Sequence, residues 1–173
     1  RRAMIEAGEA RAEPVAVLEF VRGPTLLQCG SVTDTLGENE FETLGFLAAF
    51  DVLLNNTDRL PVLFDTEGNL GNVMLEPGPD GSVVCCAIDS CVNPLEGASL
   101  EQHLAVLRAK AHDPDLTAAA AAFETLCGVA LRESQLDTIR RGWRRGLEKI
   151  CEMTRDGTLQ AAVDARVDAA LAA

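Results

Sequence analysis

The sequence lacks any uninterrupted apolar run of the roughly 18 residues that a membrane-spanning helix needs, and it has no basic-then-apolar leader of the secretory kind. These absences predict a cytoplasmic protein with no membrane partner. Basic residues are scarce: 15 Lys and Arg stand against 27 Asp and Glu, a formal charge of -12. Such a surface repels phosphate backbones, which argues against nucleic acid as a general partner. Only Lys110 and Lys149 are lysines. There is no Cys-x-x-Cys pair, so Cys29, Cys85, Cys86, Cys91, Cys127 and Cys151 lack the spacing of a closed zinc site and read as reduced, mostly buried small apolar side chains. The chain opens on Arg1 with no start-like pattern behind it, which predicts a piece of a longer protein.

What is present suffices for one core: 173 residues at 47% hydrophobic content make one domain or one large lobe. Residues 1–13 are charged and Ala-rich, a helix or frayed end, and "PVAVLEFVRGPTL" (14–26) has the length and branching of a buried strand entering a turn. "ENEFETLGFLAAFDVLL" (38–54) is apolar on nearly every face, which predicts a central, enclosed helix. Asn55 to Arg59 therefore sit where a buried helix ends. "NVMLEP" and "VVCCAIDS" flank the turn "GPDGS" and predict a hairpin of two short buried strands.

Beyond residue 97 the pattern is helical. Ser99 with Gln102 makes a capping box ahead of Leu100, Leu104, Leu107 and Ala111, and Pro114 supplies a stop. The alanine-rich stretch 116–127 ends at Gly128. Leu136, Ile139, Trp143, Leu147 and Ile150 recur at helical spacing behind Ser134 as N-cap, and Leu159, Val163, Val167 and Leu171 give a final helix. Arg140, Arg141, Arg144 and Arg145 lie largely off the apolar stripe and read as a solvated face pairing with the protein's own carboxylates. His103 and His112 have no acidic group at ligand spacing and read as structural or solvated.

Three polar residues interrupt the apolar pattern where burial makes them costly: Asp58 after the enclosed helix, Asn72 directly before "VML", and Asp89 at the end of "VVCCAI". A buried carboxylate requires a donor, a basic group or a metal. A hairpin puts Asn72 and Asp89 at the same end of the ladder, where both side chains can reach one cation. Magnesium suits such hard oxygen ligands and leaves its other positions to water and phosphates. Asp58 would remain free to accept a hydroxyl proton, the logic of phosphoryl transfer.

"DVLLNNTDRLP", "GNLGNVML" and "AIDS", in this order, resemble the catalytic lobe of the actin-fragmin kinase family, an atypical branch of the protein-kinase-like fold; the likeness is best from about residue 15 to residue 95. It implies an α+β fold: the C-terminal lobe of a protein-kinase-like domain, mostly α-helical with a small catalytic β-hairpin, its N-terminal lobe largely absent. Residues 1–30 would be the end of that lobe and a hinge-like segment. Residues 31–173 would be the helical lobe, with a catalytic loop at 55–72, a metal-binding hairpin at 72–89 and a helical subdomain at 99–173. By the same resemblance Asp58 is the catalytic base, Asn72 and Asp89 are metal ligands, and backbone groups near Glu19 and Val21 face the adenine. The implied co-substrate is ATP with Mg, the acceptor a protein serine or threonine, and the partner actin or an actin-binding complex.

The departures are as specific. In the common kinase loop the asparagine follows the aspartate by about five residues, whereas positions 58 and 72 are fourteen apart. Asn69 is a rival for the ligand role. No His-Arg-Asp, DFG glycine or APE segment is present, and neither lysine, both in late helices, can pair the phosphates. Two other readings stand beside the kinase: a non-catalytic, pseudokinase-like interaction module without the nucleotide-binding lobe, and a small phosphotransferase acting on sugars or antibiotics, disfavoured by the "NNTDR" pattern.

Overall fold

The computed structural model describes residues 21–29, 32–64, 66–90 and 94–161. In chain order it contains a 3-10 turn (Leu26–Gln28), a one-turn helix α1 (Val32–Thr35), the helix α2 (Glu38–Leu53), a second 3-10 turn (Leu70–Asn72), strands β1 (Val73–Pro77) and β2 (Val83–Ala87), and helices α3 (Gly97–Lys110), α4 (Thr117–Cys127) and α5 (Glu133–Arg155). The class is α+β, mostly helical with one two-stranded antiparallel sheet. Among the described residues no helix is long and apolar enough to cross a membrane.

Helices α2 and α5 form the principal packing. Their backbones meet: a Cβ at Gly45 would overlap the Ile139 carbonyl, and one at Gly142 would overlap the Glu42 carbonyl. Glycine at these two positions is what allows so close a crossing. Phe41, Leu44, Ala48, Ile139 and Trp143 close around it and are buried. Trp143 is wholly enclosed, and its indole N–H donates to the Ala111 carbonyl at 2.6 Å, which removes the one polar cost of burying it. At the rim, Arg141 pairs with Glu38 at 2.6 Å and Glu42 at 3.0 Å, Arg145 pairs with Glu42, and Arg140 pairs with Glu133 at 2.7 Å and Asp137 at 2.8 Å. Three arginines of the basic cluster therefore engage the protein's own carboxylates. Hydrogen bonds from Arg145 and Arg141 hold the Glu42 carboxyl below its ordinary value.

The hairpin pairs Val73 with Ala87 through Pro77 with Val83, and packs on α2. It is buried on one face only. Val73 and Leu75 enter the core, whereas in β2 Cys85 alone does so and Val84 is 46% exposed, so the expectation of two buried strands holds for β1 and not for β2. Burial pushes the Cys85 thiol up to about 12, as for an inert apolar side chain.

Other local expectations are corrected. Of the strand expected over 14–26, residues 14–20 lie outside the described residues; 21–24 form no strand, and Thr25 makes a single bridge to Met74 before the 3-10 turn. Helix α2 is central but not enclosed all round, since Leu53 and Leu54 face solvent. Helix α3 begins at Gly97, two residues before Ser99, so Ser99 lies inside the first turn and is not a cap. Its expected apolar stripe is weak: Leu100 is exposed, and His103 is the one buried residue of the helix. The His103 Nε2 lies 2.9 Å from the Val52 carbonyl and the ring stacks on Phe64, a structural role. Helix α5 begins two residues earlier than predicted: Arg132, not Ser134, is the N-cap, and its N–H donates to Gln135 Oε1 at 2.8 Å. The alanine-rich helix does end at Gly128, at φ +67. The final helix expected from Leu159 to Leu171 lies mostly outside the described residues, as do residues 1–13 and Cys91.

Candidate active site

The polar run after α2 terminates that helix. Asn55 adopts φ +52, a left-handed conformation that asparagine tolerates better than most residues. The Asn56 N–H then reaches back to the Asp51 carbonyl at 2.7 Å, and the Asn55 N–H to the Val52 carbonyl at 3.3 Å. This is a Schellman ending with asparagine in the glycine position. The chain leaves the helix on a fixed course. The Asn56 Oδ1 accepts the Asp58 N–H at 3.3 Å, turning Asp58 outward as the next residue, Arg59, turns in.

Arg59 is 2% exposed and is held on every side. One guanidinium nitrogen pairs with Asp51 Oδ1, which also accepts the Asn56 side-chain amide at 2.8 Å. Its Nε donates to the Asn72 carbonyl at 3.2 Å, and its Nη2 to the Ile88 carbonyl at 3.1 Å and to Ser90 Oγ at 2.8 Å. The end of α2, the start of β1 and the end of β2 are thus tied to one cation. The intervening insertion is closed at its neck by the Asn69 N–H on the Arg59 carbonyl at 2.9 Å, with Leu60 and Val62 in the core.

Hairpin register brings Asn72 and Asp89 together as expected: past the Val73–Ala87 pair, the Ile88 N–H donates to the Asn72 carbonyl at 3.0 Å. Asn72 is buried, and its side-chain amide nitrogen faces three oxygens: Asp58 O at 2.9 Å, Asp58 Oδ2 at 2.9 Å and Asp89 O at 3.3 Å. Three acceptors around one atom identify it as the donor end of the amide. The acceptor end, Oδ1, takes no hydrogen bond among the described residues. Asn69 has other work, since its Oδ1 accepts the Gly71 N–H at 3.0 Å and caps the 3-10 turn.

Asp58 is half-buried, with one carboxylate oxygen held by Asn72 and the other without a hydrogen-bond partner among the described residues. Asp89 is exposed, and its backbone is left-handed at φ +47, a conformation costing on the order of 1 kcal/mol for a residue with a Cβ. Its carboxylate has no hydrogen-bond or ion-pair partner among the described residues. The site thus runs from a buried Asn72 through a half-buried Asp58 to an exposed Asp89. A cavity of about 680 Å³ between the α3–α4 connection and α5, lined by Pro114, Leu116, Ala120, Leu131, Leu136 and others, includes none of them. Val21 is half-buried, and Glu19 lies outside the described residues.

Sequence reasoning missed Asp51 and the reach of Arg59. The signal was there: Asp51 is a lone carboxylate inside "LAAFDVLL", and the demand for a buried partner applied to Asp58 belonged first to Asp51.

The arrangement offers a carboxylate steadied by an amide, an unengaged amide oxygen and an exposed second carboxylate. Amide and carboxylate oxygens are the hard donors that magnesium takes, one or two at a time. Among the described residues no three His, Cys, Asp or Glu side chains gather at metal-holding distance, so any cation here would draw the rest of its shell from water or phosphate. A family model described as the catalytic part of actin-fragmin kinase matches residues 11–99, just over half of the chain and all of the stretch that carries the site. No curated protein matches the chain.

Proposed function

Because the chain belongs to the actin-fragmin kinase catalytic family, we propose that it forms the larger lobe of a protein-kinase-like domain and transfers the γ-phosphoryl group of ATP to a protein serine or threonine. In this reading residues 55–72 are the catalytic loop, 72–89 the metal-binding hairpin and 99–173 the helical subdomain, while residues 1–30, Glu19 and Val21 among them, lead from the nucleotide side. Asn72 and Asp89 would hold magnesium, which would supply neutralisation of the charge moving onto the leaving phosphate. Asp58 accepts the proton of the acceptor hydroxyl at its unengaged oxygen. Asn72 keeps that carboxylate aimed by donating to its other oxygen. The family's description suggests actin or an actin-binding complex as the protein partner.

The observation that carries the proposal is the Asn72 amide, which joins the base-bearing loop and the metal-bearing strand end in one hydrogen-bonded unit. The test is transfer of labelled γ-phosphate to a protein acceptor by the natural polypeptide, with Asp58→Asn as the comparison. Loss of a general base lowers the rate by about 10²-fold or more, and because Asp58 is only half-buried the thermal midpoint should hardly move. Equal rates in the two proteins would remove Asp58 from the chemistry.

A second reading is a non-catalytic, pseudokinase-like module, in which no lysine pairs the phosphates. Lys110 and Lys149 are both exposed on helices, Lys149 within reach of Glu152 at 3.3 Å, so neither serves as the phosphate-pairing lysine. No phosphate transfer and no thermal shift with ATP and magnesium would favour that module.

A further inference from the structure

Asp89 is a non-glycine residue in left-handed backbone, and such a residue persists only when its flanks are held. Both flanks are. On one side the Ile88 N–H is bound to the Asn72 carbonyl at 3.0 Å and the Ile88 carbonyl to Arg59 Nη2 at 3.1 Å; on the other, Ser90 Oγ accepts from the same Arg59 nitrogen at 2.8 Å. Arg59 therefore straddles Asp89 without touching its carboxylate. Arg59 is itself fixed by Asp51 in the last turn of α2 and by the Asn72 carbonyl. The residues on the two sides of Asp89 are thus anchored to α2, which packs against α5.

From this geometry we infer that Arg59, acting through Ser90 and Ile88, is a positioning residue that sets the direction in which Asp89 presents its carboxylate to a divalent cation. The inference rests on the reading of Asp89 as a cation ligand. It accounts for arginine at this position: four acceptors in three directions are met by one planar fork, which a single lysine ammonium cannot match. It also gives Ser90 a role although its side chain lies at the exposed edge, since the hydroxyl is the only side-chain contact by which Arg59 holds the chain beyond Asp89 among the described residues.

The experiment is Mn²⁺ binding to the full 173-residue chain, followed by the electron paramagnetic resonance signal of free Mn²⁺, alongside thermal unfolding. The proteins compared are the wild type, Ser90→Ala, Ser90→Thr and Asp89→Asn. Residues that orient a metal ligand typically change affinity by about tenfold or more. Ser90→Ala should therefore weaken Mn²⁺ binding about tenfold with an unchanged thermal midpoint, Ser90→Thr should restore it, and Asp89→Asn should lose the site. Wild-type affinity in Ser90→Ala, with binding lost in Asp89→Asn, would overturn the positioning role and leave the cation site standing. Wild-type affinity in Asp89→Asn would instead overturn the site. A lowered thermal midpoint in Ser90→Ala, in step with its loss of affinity, would reduce the Arg59–Ser90 contact to a structural bond and overturn the inference as well.

Discussion

Arg59 and Asp51 form a buried ion pair, each side chain no more than 7% exposed, and such a pair is costly to halve. Removing one partner strands the other charge in the interior, a loss of about 3–5 kcal/mol. Arg59→Ala also removes the guanidinium donor from the Ile88 carbonyl and leaves the Asn72 carbonyl with the Ile88 N–H alone. We therefore expect urea unfolding of Arg59→Ala to show at least that loss, with Asp51→Ala similarly affected. A change under 1 kcal/mol would mean that water replaces the guanidinium at little cost. Asn72 was legible in the sequence because a polar residue directly before a strand has no local use. Arg59 was not, because its partners come from positions 51, 72, 88 and 90, and no local pattern announces that three distant segments meet at one side chain.

At the scale of elements, periodicity located α2 to within a residue and found the hairpin and α5, and failed at the helix caps. Ser99 and Ser134 have cap chemistry but sit inside helices that start at Gly97 and Glu133. Packing decides the start, and the side chain that happens to lie there serves. The crossing of α2 with α5 was also invisible, since "RRGWRRG" draws attention to its arginines whereas its first glycine is what the fold uses most closely. Gly142→Ala forces a methyl group against the Glu42 carbonyl, with backbone and not a flexible side chain in the way. Overpacking of this kind costs typically about 1–3 kcal/mol. The helix propensity gained from alanine, about 1 kcal/mol, opposes part of it. A net fall in unfolding free energy is expected by chemical denaturation; a rise would show that the helices separate freely.

For the molecule as a whole, the excess of acid over base is partly organised: Glu42 is bracketed by Arg141 and Arg145 at the α2–α5 rim. Hydrogen bonds from those arginines lower its carboxyl below the ordinary 4.5. A group depressed in the folded state contributes stability above its ordinary value and loses it as pH falls through the folded one. Glu42→Gln should therefore unfold at lower temperature than the wild type at pH 7. The gap should narrow below about pH 4.5 and close at still lower pH, while a gap independent of pH would assign the effect to packing. The effect is small because the arginines are exposed and screened.

The same acidic surface sets the terms for testing the site, because a protein of charge -12 attracts divalent cations everywhere. The direct measurement is nuclear magnetic resonance of the full chain during a substoichiometric Mn²⁺ titration, in which the nearest nuclei broaden first. The account predicts early loss of the Asn72 side-chain amide and of the backbone amides of Asp58, Asn72 and Asp89. Early broadening around Asp113, Asp115 and Glu124 instead, with the Asn72 amide intact, would contradict it.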